Sequence, residues 1–306
     1  MQSACMSCLM ELAEKDNAVL YLTADSGEGG LDKIFRMNFP DRSFDFGIAE
    51  GNMVAAAAGL ASAGKIPFVY TAGPFLAYRS YEFIRNDICM QNLNVKLIGT
   101  GSGLSVSSLG PTHHTTEDIA VLRVLPNLKI MSPATPNQVY ACMKEAYEHK
   151  GPVYIRLAMN KEKEYFESNH SFDIHRNELL RKGSDITIFT TGSILDEVMD
   201  AADILNGECI SANVINVPMI KPFDQENVIE MAAISKLFVS VEEHNILGGL
   251  GSIIAEILTE QGIAVKLLRI GLEDAFSVGY GKLESVRNEN GLCAEKIASK
   301  IREKTA

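Results

Sequence analysis

Short apolar runs alternate with longer stretches of helical period over the first 160 residues. The runs AVLYLTA (18–24), IPFVYTA (66–72), VKLIGTG (95–101), LKIMSP (128–133) and VYIRLA (153–158) read as strands. Between them, EGNMVAAAAGLASAG, PFLAYRSYEFIRNDIC and PNQVYACMKEAYEHK read as helices. Strands separated by helices predict a parallel α/β sheet. The alternation stops at KEKEYFESNHSFDIHRNELLRKGSD, which is polar, charged and without period. That stretch is either a linker between domains, 161–183, or a surface excursion within one domain. Alternation resumes with DITIFTTG, ISANVINV, KLFVSVEE and AVKLLRIG, separated by helices predicted over 194–205, 224–233 and 249–260. The expected fold class is therefore α/β, with two parallel-sheet domains spanning 1–160 and 184–306.

A chain of 306 residues suits about two domains. Its 46% hydrophobic and 22% charged residues are ordinary for a globular protein whose core needs no covalent staples. A formal net charge of -11 argues against a nucleic-acid surface, which needs a basic patch. Cys5 and Cys8 form a CxxC, open to a redox, a zinc or a packing reading. No second CxxC or paired histidine follows at zinc spacing, and the pair lies in the amphipathic SACMSCLMELAEKD. Structural thiols in a reducing compartment are the expectation. Glu11 and Glu14 interrupt the N-terminal apolar stretch, so no signal peptide is expected there. No apolar run is long enough to span a bilayer, and a cytoplasmic location is expected.

Three segments carry candidate chemistry. In FDFGIAEGNMVAAAAGLA, Glu50 opens a small-residue helix, as a helix N-terminal charge or as a functional carboxylate. In PFLAYRSYEF, Phe75, Tyr78 and Tyr81 recur every three residues on one helical face, as core or as the wall of a flat heteroaromatic ligand. In SSLGPTHHTTED, His113 and His114 follow a Gly-Pro turn, where an imidazole can move protons near neutral pH. Adjacent histidines rarely face one ligand, so at most one is expected to be catalytic. Gly248, Gly249 and Gly251 precede a helix and could cradle phosphate, but they match GxGxxG poorly and read better as close packing.

In this order, the segments resemble the C-terminal half of transketolase over nearly the whole chain. GIAEGNM resembles the segment around the family's invariant glutamate, and FLAYRSY keeps its aromatic spacing. GPTHHTTEDIAVLRVLPNLKIMSPATPNQ resembles its long GPTHQ-type segment; NVPMIKPFD and EEHNILGGLGS resemble C-terminal-domain motifs. The resemblance implies a pyrimidine-binding domain followed by a transketolase C-terminal domain. It implies that Glu50 hydrogen-bonds N1′ of thiamine diphosphate, that Phe75, Tyr78 and Tyr81 line the aminopyrimidine pocket with Tyr78 stacking, and that His113 handles substrate hydroxyl protons. His114 falls where the family often has glutamine and would have a secondary role at most. The family holds Mg²⁺ and the diphosphate through a GDG motif that this sequence lacks. The resemblance therefore implies an N-terminal partner subunit that supplies the Mg²⁺ ligands, in an α2β2 assembly.

Three positions depart from the family. Leu109 replaces an aspartate before the GPTH turn, Gly101 a phosphate-binding histidine, and Met159 a phosphate-binding arginine. Each lost charged contact weakens phosphate binding by about 1.5–3 kcal/mol. The expected reaction is two-carbon ketol transfer from a ketose to an aldose with a non-phosphorylated or otherwise modified sugar. Arg79, Arg85 or Arg123 could supply a displaced anion site. The alternatives are the β-type subunit of a 2-oxoacid dehydrogenase, a deoxyxylulose-phosphate-synthase-like enzyme, and a non-catalytic scaffold subunit.

Overall fold

The computed structural model describes residues 1–25, 30–159, 162–167 and 170–305. The apolar runs form the strands of two sheets. They are β1 (Val19–Thr23), β2 (Ser43–Asp45), β3 (Ile66–Ala72), β4 (Lys96–Thr100), β5 (Lys129–Met131), β6 (Val153–Leu157), β7 (Glu178–Arg181), β8 (Ile186–Thr190), β9 (Ala212–Asn216), β10 (Met219–Lys221), β11 (Leu237–Asn245) and β12 (Lys266–Leu272). Among the described residues, the first sheet has the order β10-β5-β6-β4-β3-β1-β2 and the second β12-β11-β8-β9-β7. Pairing is parallel except where β10 meets β5 and β7 meets β9. β1, β4, β6, β8 and β9 are buried at every position, as expected of parallel strands covered on both faces.

Successive side chains of the first sheet feed two cores. Leu20, Leu22, Val69 and Leu97 pack under the Glu50–Ser62 helix with Met53, Val54 and Ala57. Val19, Tyr21, Phe68 and Tyr70 point to the other face, against Cys5, Cys8 and Leu9 of the Gln2–Lys15 helix and Cys142 and Met143 of the Pro136–Glu148 helix. The CxxC thus lies inside a packed face. Both thiols are buried, and burial pushes Cys8 up to about 12 and Cys5 higher still. Thiols held protonated are poor nucleophiles and poor metal ligands, which favours packing.

The expected linker, 161–183, differs from the structure at its C-terminal end. β7 lies inside it and extends the second sheet antiparallel to β9. As a half-exposed edge strand with Glu178 and Arg181 at its ends, β7 has no buried face to impose an apolar period. Asn160, Lys161, Ser168 and Asn169, within or beside that stretch, lie outside the described residues. The three-residue β10 was too short to show a period and crosses to the first sheet.

The two sheets share interior. Phe189, Ile215 and Phe238 belong to the same core as Leu22 and Val69. Polar groups also bridge them. Arg156 of β6, fully buried, donates from Nε to both oxygens of Asp118 at 3.0 and 2.9 Å. Its Nη2 donates to the carbonyls of Thr115 and of Glu243 in β11, each at 2.8 Å. The Glu243 carboxylate in turn accepts from Arg287 Nε at 2.5 Å.

A pH dependence arises at the rim of the first sheet. The buried Lys96 ammonium donates to the carbonyls of His149 and Gly151, each at 2.8 Å. Burial, reinforced by repulsion from Lys129 and Lys96, pushes the His149 imidazole from 6.5 down to about 4, against the pull of Glu145. The folded state therefore binds fewer protons here than the unfolded chain between those two values. The His149 contribution is present in full above pH 6.5 and is lost as pH drops toward 4. For a ring this exposed, the contribution after solvent screening is on the order of 1 kcal/mol. Urea melts at pH 7 and pH 5 should show the loss, and His149→Asn should reduce it; an unchanged slope in that variant would contradict the assignment.

Candidate active site

Glu50 occupies the first turn of the Glu50–Ser62 helix, after β2 and the turn at Gly47, whose φ is +60°. Its carboxylate is 2% exposed, which is unusual for a charge that merely decorates a helix end. Oε2 accepts from Arg79 Nη1 at 2.7 Å. The Arg79 guanidinium stands 4.6 Å from the centre of the Phe75 ring, and Phe75 meets His113 edge-on at 5.2 Å. Glu50, Arg79, Phe75 and His113 thus form one continuous chain of contacts. Arg79, expected to offer an anion site, is instead engaged by Glu50. Arg123 is similarly engaged, by Glu256 and the carbonyl of Gly248.

The aromatic segment does not form a regular α-helix. Phe75–Arg79 and Ile84–Cys89 are π-helical, with an α-turn at Tyr81–Phe83 between them. The wider turn breaks the expectation that an i, i+3, i+6 spacing keeps three rings on one face. Phe75 and Tyr78 open toward His113 and the GPTHH turn, whereas Tyr81 packs, partly buried, against the core under the Glu50 helix. Tyr78 lines a cavity of about 310 Å³ with Pro74, Thr112, His114, Glu117 and Phe276. Its hydroxyl donates to Glu117 Oε2 at 2.8 Å and accepts the Glu117 N–H at 3.0 Å.

The two histidines have different settings. His113 is half-buried, with Nδ1 hydrogen-bonded to Thr112 Oγ1 at 2.9 Å. His114 is 2% exposed; Nδ1 meets Ser277 Oγ at 2.6 Å, and its buried Nε2 has no protein hydrogen-bond partner. Burial lowers the His114 pKa, against the pull of Glu243. Ser277 belongs to a loop of the second domain that covers the turn. Gly110, at φ +73°, is in contact with the Tyr280 ring of this loop, so a side chain there would clash. The Gly281 N–H donates to the Ser107 carbonyl at 3.1 Å, and Ser107 Oγ donates to the Gly281 carbonyl at 2.7 Å. No sequence motif pointed to Ser277, Phe276 or Tyr280. Glu117 stands inside the quoted GPTHHTTED but carried no assignment.

Gly101 and Met159 lie together: a Cβ on Gly101, whose φ is +76°, would stand 3.6 Å from Met159 Sδ. Leu109 is half-exposed on the approach to the turn. None of these three carries charge. The glycines at 248–251 do not cradle phosphate, because the buried Glu242 carboxylate already accepts the N–H groups of Leu250 and Gly251 at 2.7 and 2.9 Å. Gly249 leaves the space that this carboxylate fills. Among the described residues, no group of three or more His, Cys, Asp or Glu side chains is placed to hold a metal ion. No helix among them is long and apolar enough to cross a membrane.

The fold thus brings a buried carboxylate, accessible aromatic rings and a histidine turn together on one of two paired α/β domains. Residues 1–162 match the transketolase pyrimidine-binding domain and residues 176–297 the transketolase C-terminal domain. The chain belongs to the transketolase family. It is 39% identical to a subunit of the apulose-4-phosphate transketolase of Actinobacillus succinogenes, covering 90% of this chain and 89% of that protein. It is 36% identical to the 6-deoxy-6-sulfo-D-fructose transketolase subunit SqwH of Clostridium sp., covering 97% and 92%. A solved structure described as a split gene transketolase, inactive beta4 tetramer, superposes with a TM-score of 0.88 at 35% identity, covering 99% of this chain and 96% of that one. The 1-deoxy-D-xylulose-5-phosphate synthase of Syntrophotalea carbinolica is 38% identical, but the chain spans only 46% of its length.

Proposed function

We propose that this chain is the C-terminal subunit of a split transketolase-like transferase, which moves a two-carbon ketol unit from a ketose to an aldose once paired with an N-terminal subunit. The observation that carries the reading is the buried Glu50 carboxylate set beside the rings of Phe75 and Tyr78 and the imidazole of His113. Thiamine diphosphate, when bound, supplies a carbon nucleophile and an electron sink for cleavage next to a carbonyl.

The residues present fit the pyrimidine end of that cofactor. Glu50 offers a desolvated carboxylate to a ring nitrogen, and Phe75 and Tyr78 offer flat walls, with Tyr81 supporting them from the core. Arg79, which donates to Glu50 Oε2 at 2.7 Å, would have to share that carboxylate with the cofactor. His113, at the edge of Phe75, exchanges protons with substrate hydroxyls, a contribution of about 10²–10⁴-fold. His114 offers Nε2 as a secondary substrate contact and orients the turn through Ser277. The diphosphate and Mg²⁺ are assigned to the partner subunit, in a cytoplasmic α2β2 assembly. A first domain of 1–160 and a second that takes in β7 at Glu178–Arg181 suit that arrangement.

The absence of a charged group at Gly101, Leu109 and Met159 supports a modified sugar in place of an ordinary sugar phosphate. Two relatives are named for modified sugars, one phosphorylated, apulose 4-phosphate, and one sulfonated, 6-deoxy-6-sulfofructose, so their names support a modified sugar and not the loss of its anionic group. The test is a donor screen with the reconstituted pair. Ketol transfer from a non-phosphorylated or modified ketose, with xylulose 5-phosphate turned over poorly, is the expected result. Efficient use of xylulose 5-phosphate would remove the substrate proposal. Decarboxylation of a 2-oxoacid without ketol transfer would move the chain to the dehydrogenase or synthase type.

A further inference from the structure

We propose that Glu117 is a positioning residue that holds the Tyr78 ring ready to receive the cofactor's aromatic end. The inference rests on the reading of Tyr78 as the stacking ring and adds the group that fixes it. Tyr78 sits in a π-helical turn and is 36% exposed, so packing covers only part of its ring. Its hydroxyl is the constraint, and one residue satisfies both of its roles. The hydroxyl donates to Glu117 Oε2 at 2.8 Å and accepts the Glu117 N–H at 3.0 Å. The other carboxylate oxygen accepts from Thr116 Oγ1 at 2.9 Å, which fixes the carboxylate as well.

Glu117 is itself anchored. The next residue, Asp118, is fully buried and receives Arg156 at 2.9 Å and the Tyr154 hydroxyl at 2.9 Å. The clamp therefore ties an exposed ring to a fully buried polar contact. Burial and the nearby carboxylates of Asp118 and Glu117 push the Tyr78 hydroxyl well above its ordinary pKa, so it remains a donor. A phenylalanine would present the same flat face without this tether. A ring already oriented loses less conformational freedom when a ligand stacks on it, and that difference appears as affinity.

Two readouts test the clamp. In the free chain, the Glu117 amide hydrogen should exchange about tenfold faster in Tyr78→Phe than in wild type, because its acceptor is gone. In the complex with the N-terminal subunit, calorimetric titration of thiamine diphosphate with Mg²⁺ should show affinity weakened about tenfold in Tyr78→Phe and in Glu117→Ala. The double variant should be no weaker than either single one, and Glu117→Gln, whose amide oxygen can accept the hydroxyl, should recover most of the loss. Unchanged affinity in both single variants, or additive losses in the double variant, would overturn the clamp. If Glu117→Ala does not fold, Tyr78→Phe carries the test, since it removes one oxygen and keeps the ring. Failure of the wild-type complex to bind the cofactor would instead overturn the reading of the site. The amide exchange would still report whether the clamp exists.

Discussion

Glu50→Gln should lower ketol transfer by the reconstituted enzyme by roughly 10²–10⁴-fold. Glutamine matches glutamate in size, and its amide oxygen can still accept Arg79 Nη1. The Glu50–Arg79 pair joins a carboxylate at 3% side-chain exposure to a guanidinium at 52%. An ion pair open to water on one side contributes at most about 1 kcal/mol. The melting temperature should therefore stay close to that of wild type while turnover disappears. What the variant loses is a carboxyl group that can share a proton with a ring nitrogen, which an amide cannot do. Steady-state rates at saturating cofactor, set beside a thermal melt, separate the two effects. A variant with more than a tenth of wild-type activity would show that Glu50 is a structural helix-end charge.

Asp118→Ala should be the most destabilising substitution near the site. It would strand Arg156, whose side chain is 2% exposed, and remove the acceptor of the Tyr154 hydroxyl. Removing one partner of a buried pair costs about 3–5 kcal/mol, because the remaining charge stays out of water. For a protein of this size, the melting temperature falls by roughly 10 °C. Asp118→Leu combined with Arg156→Leu should regain a large part of that loss, since no unpaired charge is left behind. Equal damage from the single and the double variant would contradict this. Activity should also fall in Asp118→Ala, because Arg156 Nη2 holds the Thr115 carbonyl at the end of the histidine turn. Circular dichroism melts of the three variants give the answer.

The contrast between these two sites shows what the sequence could carry. Strands such as β1, β4 and β6 are buried on both faces, so every residue is apolar or paired and the run is visible in the letters alone. β7 has no buried face and β10 has three residues, so neither left a period. The motifs around Glu50 and His113 could be read in the letters, but the contact of Glu50 with Arg79, 29 positions along the chain, could not. Tyr81 shows how local helix type alters a spacing argument. Its spacing from Phe75 and Tyr78 suits an α-helix, but the π-helical turns place it against the core. Glu117, Ser277 and Phe276 act through distant contacts between side chains and loops, for which no spacing rule exists. The Ser277–His114 contact spans 163 positions between the two domains.

The split itself is the central claim, and cofactor binding tests it most directly. Thiamine diphosphate with Mg²⁺ should be titrated by calorimetry into this chain alone, and into this chain mixed with its N-terminal subunit. The account predicts tight binding in the mixture and none in the chain alone. Tight binding by the chain alone, or no binding in the mixture, would contradict it.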